Sequence, residues 1–128
     1  LLYGAMYDKD IAPDLAGVIG RFDAVLGSTV ALPRSRTTEE LQGLFVGWGL
    51  EHTEWRDGQL ADIPACSVAP DLQQALIFLA RHLRPEDRVL VTGSCFTVAE
   101  VLYKLGFDRL EKTRGLHEAG PVLARIKD

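Results

Sequence analysis

Cysteine is scarce in this sequence, which has two in 128 residues, Cys66 and Cys95. Neither lies in a CxxC pair or in another spacing typical of metal ligands, and the three histidines share no such spacing with an acid or a cysteine. No metal site is therefore expected. A single disulfide is possible, but we favour two buried thiols in a cytosolic protein. Cys95 is accordingly expected to be a small buried hydrophobe and not a nucleophile.

Long apolar runs and an excess of basic residues are also absent. The apolar runs are too short to span a membrane, and the first residues lack the basic and long apolar segments of a signal peptide. The formal net charge is -4, with acids and bases interspersed, which argues against a nucleic-acid-binding surface. Arg34 and Arg36 come nearest to a basic cluster, and we interpret them as part of a solvated loop. These features predict a cytoplasmic protein that binds neither nucleic acid nor membranes.

The length and composition fit one globular domain: 128 residues, of which 47% are hydrophobic and 25% charged. The chain begins inside an apolar, strand-like run (residues 1–6) without an initiator methionine. We therefore interpret residues 1–128 as a single domain truncated at its N-terminus. Residues 59–70 are the hardest to place, and no role is assigned to residues 51–68. Residues 107–128 carry no pattern that assigns them, so 113–128 is treated as an uncertain tail.

Short strand-like runs alternate with amphipathic helical patterns along the chain. Strands are predicted at residues 1–6, 22–26, 51–56 and 88–91, and helices are predicted to begin near Pro13, at the capping box Thr37-x-x-Glu40, at Asp71 and after Ser94. This alternation predicts an α/β fold: a Rossmann-like, mostly parallel sheet with helices on both faces. Ligands gather at the carboxyl ends of the strands in such sheets. Two segments are therefore candidate sites, residues 7–10 and residues 92–94.

The polar run Asp8-Lys9-Asp10 follows the first predicted strand. Lys9 is a candidate point charge for a carboxylate or a phosphate, held in place by the two flanking acids. The alternative is that Asp10 caps the next helix and that Lys9 lies in solvent. Spacing alone favours that alternative.

Gly93 and Ser94 lie between a predicted strand and a predicted helix, where backbone N–H groups could bind an anion at the helix N-terminus. Ser94 is a candidate either for capping the helix or for contacting a ligand. Thr97-x-x-Glu100 forms a capping box of its own, which predicts a helix that starts at Phe96 or later. That start would leave Ser94 free for a ligand. The segment is neither a Walker motif nor GxGxxG.

The same two segments resemble a known family. Residues 3–11 resemble the Gly-Met/Ala-Met…Asp-Lys-Asp motif of bacterial folylpolyglutamate synthases, and residues 89–98 are similar to the Val-Leu-Val-(Thr/Cys)-Gly-Ser-x-x-Thr-Val signature of that family. Between these two segments, Pro33-Arg34 and the helix start at residues 38–41 match further features of that family, in the same order along the chain. Over residues 1–105, the chain thus resembles the C-terminal, Mur ligase type domain of a bifunctional folylpolyglutamate synthase/dihydrofolate synthase.

The resemblance implies an ATP-dependent ligase. ATP would phosphorylate a folate or dihydropteroate carboxylate, and the amine of L-glutamate would displace phosphate from the acyl phosphate. ATP and Mg would be bound mainly by another domain, over which this one closes as a lid. The resemblance also implies that Ser94 and Gly93 lie near the incoming glutamate. Lys9, flanked by Asp8 and Asp10, would lie near its carboxylates or the phosphates, and no residue of this chain is expected to be catalytic.

The sequence departs from the family at its start. The family's Asp-x-Ala-His-Asn-Pro motif, which meets ATP, precedes the strand that corresponds to residues 1–6, so the usual first strand and helix are expected to be lacking. We therefore expect this chain to be inactive alone. The alternatives are another Mur-family amino-acid ligase and a non-catalytic α/β module that binds a partner or dimerises through an exposed sheet edge. A phosphoacceptor receiver domain is disfavoured, because the strand at residues 22–26 ends in Gly27 and not in an aspartate.

Overall fold

A computed structural model of the protein describes residues 1–8, 15–57 and 59–107. These residues form four short strands and three α-helices. The strands are β1 (Leu2–Tyr3), β2 (Val25–Ser28), β3 (Cys66–Ala69) and β4 (Val91–Thr92). The helices are α1 (Thr38–Gly47), α2 (Leu72–His82) and α3 (Cys95–Lys104), and a single 3-10 turn spans Ile19–Arg21. Among the described residues, no helix is long and apolar enough to cross a membrane.

The four strands form one parallel sheet in the order β3-β2-β1-β4. The chain steps from β1 to β2 to β3 in one direction and then crosses back over the sheet, so that β4 lies on the other side of β1. The two strands that flank this reversal, β1 and β4, define a topological switch point. The predicted Rossmann-like α/β fold is confirmed.

Helices cover both faces of the sheet, because successive strand residues point to opposite sides. Leu2 and Leu26 belong to one apolar core, together with residues of α2 and with Val101 of α3. Tyr3 and Val25 belong to the other, together with residues of α1. Each core buries large apolar side chains, and burial of this kind is the main stabilising term of such a domain.

Two helix starts follow the sequence patterns that predict them. Thr37 accepts a hydrogen bond from the backbone of Glu40, whose carboxylate accepts one from the backbone of Thr37, which completes the capping box of α1. The Asp71 carboxylate caps α2 by accepting from the Gln74 backbone at 2.8 Å. Both caps use residues within three positions of each other, so local sequence determines them.

All four predicted strands differ from the structure, and β3 was not predicted. The first strand spans Leu2–Tyr3 and not residues 1–6. The second strand is Val25–Ser28 and not residues 22–26, so Gly27 lies inside the strand and not at its end. Gly27 is needed there because a Cβ at that position would lie 2.6 Å from the Phe45 ring. Residues 51–56 form no strand. The backbone N–H of Thr53 donates to the carbonyl of Cys66. The carbonyl of Thr53, however, accepts from the Ser67 side-chain hydroxyl, whereas in a sheet it would accept from a backbone N–H of the neighbouring strand.

The strand predicted as buried at residues 88–91 is in fact β4, an edge strand that spans Val91–Thr92. Among the described strands it pairs with β1 alone. Val89 and Leu90, which precede it, are exposed, Leu90 by 51%. The apolar run suggested burial on both sides, but the strand order leaves one side of β4 without a neighbour among the described residues.

The prediction of two buried thiols is half wrong. Cys66 is fully buried on β3, whereas Cys95 is exposed in the first turn of α3, and both are free. Burial raises the pKa of the Cys66 thiol to about 11, since a thiolate in an apolar core loses its hydration. Cys66 is therefore both inaccessible and protonated at neutral pH.

We expect the two thiols to react at very different rates with Ellman's reagent at about pH 8, because the reagent needs an accessible thiolate. Cys95 should react promptly in the native chain, and Cys66 should react only after denaturation. A Cys95→Ser variant serves as the control and should show no fast phase. A fast phase that persists in this variant would show that Cys66 is accessible.

Candidate functional site

The switch point lies where β1 and β4 end. β1 is followed by Gly4 and β4 by Gly93, which leads directly into α3. The carboxyl ends of parallel strands on either side of such a reversal leave a crevice, and this crevice is the usual ligand site of open α/β sheets. Both segments that the sequence pointed to, residues 7–10 and 92–94, begin at this crevice.

Two glycines allow the backbones to approach closely at the base of the crevice. Gly93 has φ +111°, and a Cβ there would lie 2.3 Å from the carbonyl oxygen of Gly4. A Cβ at Gly4 would lie 2.9 Å both from the carbonyl oxygen of Ser28 and from the Thr97 hydroxyl. Any larger residue at either position would push β1 and the start of α3 apart, so these glycines set the width of the crevice.

Ser94 caps α3, which corrects the prediction that the helix starts at Phe96 or later. Its backbone is extended, and its hydroxyl oxygen accepts a hydrogen bond from the Thr97 backbone at 3.1 Å. The Thr97 hydroxyl lies instead inside the first turn, where it is buried and donates to the carbonyl of Gly4 at 2.7 Å. Glu100, the other half of the expected box, accepts instead from the backbone of Ala31 at 3.0 Å.

Capping does not prevent Ser94 from meeting a ligand. The hydroxyl oxygen uses one lone pair for the Thr97 backbone, and its proton has only a long contact, 3.2 Å, with the Thr97 hydroxyl oxygen, while a second lone pair remains. Ser94 and Gly93 are only partly buried. The first N–H groups of α3 also have no partner within the helix, since the first four never do. Ser94 can therefore serve both roles that the sequence left open.

The loop between β2 and α1 lies across the carboxyl ends of the strands. The backbone of Arg36 donates to the carbonyl of Ala5, and the backbone of Tyr7 donates to the carbonyl of Arg34, both at 2.9 Å. The bond from Ala31 to Glu100 attaches the same loop to α3. The loop is thus held to both sides of the switch point and brings its own side chains to the rim of the crevice.

Asp8 and Arg34 form an ion pair at this rim, with 3.0 Å between the guanidinium and the carboxylate. The guanidinium also lies over the ring of Phe96, 5.8 Å from the ring centre. Tyr7 and Phe96 are exposed beside it, by 57% and 42%. The pair is itself exposed, and pairs of this kind contribute only about 0.2–1 kcal/mol. A ligand carboxylate could therefore replace Asp8 on Arg34 at little cost.

Sequence reasoning placed Arg34 in a solvated loop and did not connect it with Asp8. The two residues are separated by 26 positions, but Asp8 follows β1 and Arg34 follows β2. The positions of the two residues after predicted strands could have indicated this pair, because neighbouring parallel strands bring the loops at their carboxyl ends together. Lys9 and Asp10, the other two candidates in that segment, lie outside the described residues.

A second arginine of this loop lies deeper. Tyr3 is fully buried between α1 and the sheet, and burial raises the pKa of its hydroxyl, an effect that the nearby Arg36 guanidinium partly offsets. The Arg36 guanidinium lowers the pKa of Tyr3 because its positive charge lies close enough to favour the ionised hydroxyl. Arg36 thus contributes positive charge beneath the rim, in addition to the exposed charge of Arg34.

The described residues contain no group of three or more His, Cys, Asp or Glu side chains placed to hold a metal ion. Asp8, an acid at the rim, faces a guanidinium. Mg²⁺ prefers carboxylate and phosphate oxygens in near-octahedral geometry, and the described part of the chain does not supply such a set.

A cavity of about 440 Å³ lies at the opposite, amino-terminal end of the strands. Its wall includes the starts of β1 and β2 and the end of α2, with Asp23 and Arg88 among the charged residues. Its lining residues include none of the residues at which the three described α-helices begin. We therefore place the candidate site in the crevice between β1 and β4.

Comparison of the chain with protein-family models, with curated proteins and with solved structures gives no match in any of the three. The family resemblance of residues 3–11 and 89–98 therefore stays a prediction.

Proposed function

We propose that this chain is the C-terminal lid domain of an ATP-dependent ligase that adds L-glutamate to a folate or dihydropteroate carboxylate. The proposal rests on one observation, which is that three features lie close together at the switch point. They are the capped N-terminus of α3 at Ser94, the glycine contact between Gly4 and Gly93, and the exchangeable pair of Asp8 and Arg34. This combination suits a small amino acid that carries two carboxylates and an amine.

The charges at the rim suggest how such a ligand would be held. A glutamate carboxylate would displace Asp8 from Arg34, whose planar guanidinium can bind it in a bidentate manner. The second carboxylate would accept from Ser94 and from the first N–H groups of α3, where the helix dipole favours an anion. Asp8, once released, would attract the ammonium group of the amino acid. Lys9 would add positive charge near the carboxylates or the phosphates.

The contribution of this domain would be positioning and not proton transfer. Holding the amine against the acyl phosphate converts a bimolecular step into an effectively unimolecular one, and closure of the domain would exclude water from the acyl phosphate. ATP and Mg would be bound mainly by another domain of the parent enzyme. The isolated chain is therefore proposed to be inactive, with no catalytic residue of its own.

The test is ADP release by the complete enzyme. Release that requires both L-glutamate and a folate or dihydropteroate acceptor, and that the 128-residue chain does not catalyse alone, is the expected result. Release with a different amino acid or acceptor would indicate another Mur-family ligase, whose acceptor this chain does not determine. Glutamate-dependent release by the isolated chain would contradict the lid role.

Ser94→Ala in the complete enzyme should raise the KM for L-glutamate about tenfold or more, because a hydrogen bond to a charged group contributes about 1.5–3 kcal/mol. Thr37→Ala is the matched control. Like Ser94→Ala, this substitution removes a hydroxyl that caps a helix by accepting one backbone hydrogen bond. The donor–acceptor distance is 3.2 Å for Thr37 and 3.1 Å for Ser94. Each loss of a cap costs about 1 kcal/mol of stability. Equal changes of KM in the two variants would assign the effect to stability alone.

A second candidate function is supported by the edge strand. Val89 and Leu90 are exposed next to β4, whose outer edge has no partner among the described strands. Such an edge can pair with a second copy of the chain, which is the proposed dimer or partner-binding module. Light scattering over a wide concentration range distinguishes the two cases, since a monomer throughout would leave this candidate without support.

A further inference from the structure

Thr97 is one of the few polar side chains that the described residues bury completely. Its hydroxyl donates to the carbonyl of Gly4 at 2.7 Å, across 93 positions of sequence. The same oxygen lies 3.2 Å from the hydroxyl oxygen of Ser94. Thr97 thus connects the carboxyl end of β1 directly to the residue that caps α3, and it does so at the base of the crevice.

The chemistry of these groups determines the direction of the hydrogen bonds. A carbonyl oxygen can only accept, so the single proton of Thr97 is committed to Gly4. In the contact between the two hydroxyls, Ser94 must then be the donor. At 3.2 Å this contact is long, since hydrogen bonds between hydroxyls usually measure 2.7–2.8 Å. The Ser94 proton is therefore weakly held and can turn to a better acceptor.

We propose that Thr97 is a positioning residue that holds Ser94 as a hydrogen-bond donor toward a carboxylate of the incoming amino acid. The inference rests on the proposed function. The Thr97 hydroxyl donates its single proton to the Gly4 carbonyl, so it does not also donate to the Ser94 oxygen. Its bond to Gly4 also fixes the distance between β1 and the first turn of α3, on which Ser94 lies.

Thr97→Val should disturb this arrangement without changing the volume of the side chain much. A methyl group cannot approach a carbonyl oxygen to 2.7 Å, because carbon–oxygen contacts measure about 3.3 Å or more. The first turn of α3 would move away from β1 by roughly half an ångström, and the Gly4 carbonyl would lose its partner. A displacement of that size at a substrate-positioning group is enough to weaken binding substantially.

The experiment measures kcat and the KM for L-glutamate in the complete enzyme for three variants. Thr97→Val should raise KM about tenfold with a smaller change in kcat. Thr97→Ser, which restores the hydroxyl, should keep KM within about twofold of the parent value. Val101→Ala is the control for stability, because Val101 is buried in the same helix but its side chain belongs to the apolar core that contains Leu2 and Leu26. It should lower the melting temperature and leave KM unchanged.

The outcomes separate this inference from the proposed function. If the parent enzyme requires L-glutamate for ADP release but Thr97→Val keeps its KM, the positioning role is overturned and the ligase proposal stands. A rise of KM in Thr97→Ser or Val101→Ala as large as that in Thr97→Val would also overturn it. If the parent enzyme shows no glutamate-dependent release with any acceptor, the proposed function fails, and the inference fails with it.

Discussion

Gly93→Ala is expected to lower the free energy of unfolding by about 4 kcal/mol. Two costs combine at this position. The φ of +111° lies outside the favoured regions of alanine, which costs about 1–3 kcal/mol. The added Cβ would also lie 2.3 Å from the carbonyl oxygen of Gly4, and forcing such a contact costs a further ~1–3 kcal/mol. Urea denaturation followed by circular dichroism measures the change.

Gly106→Ala is the matched control for Gly93→Ala. Gly106 also has a positive φ, +83°, but a Cβ there would meet nothing within 4 Å. The backbone cost alone applies, so we expect a loss of about 1 kcal/mol. Equal losses in the two variants would show that Gly93 and Gly4 do not approach as closely as described. A Gly93→Ala chain that is already unfolded without urea agrees with the larger loss.

Phe45→Ala is expected to lower the free energy of unfolding by about 4 kcal/mol, within the range typical of buried phenylalanine. The ring is fully buried on α1 and makes an edge contact with Tyr3, with 5.9 Å between the ring centres. It also packs against Trp48 at 5.6 Å and over Gly27. Removing the ring would leave a cavity that the rigid sheet below cannot close.

Val46→Ala provides the control on the same helix. Val46 follows Phe45 directly but is 54% exposed, so its removal creates no cavity. Alanine is also the better helix former, and the change in stability should stay within about 0.5 kcal/mol. Urea denaturation of the two variants in parallel tests the assignment of this helix face. A small loss in Phe45→Ala would mean that α1 packs on the sheet through other residues.

Features that depend on hydrogen bonds or spacing between residues close in the sequence could be predicted without the structure. The capping box of Thr37 and Glu40 and the cap at Asp71 use hydrogen bonds within one helical turn, and both are confirmed. The apolar spacing after Asp71 predicts a helix with one buried face, as found for Leu72, Ala75, Leu76 and Leu79. Alternation of such helices with short apolar runs was enough to predict the parallel α/β sheet.

Tertiary structure decided the features that depend on which elements become neighbours. Among the described strands β4 lies at an edge, because the chain reverses direction at the sheet, and the apolar run at residues 88–91 does not indicate this position. The Thr97 hydroxyl is buried at the base of α3, where it donates to Gly4, which is 93 positions away. Asp8 meets Arg34 because β1 and β2 are neighbours. In each case the deciding contact is long-range, so the physical reason appears only once the strands are in order.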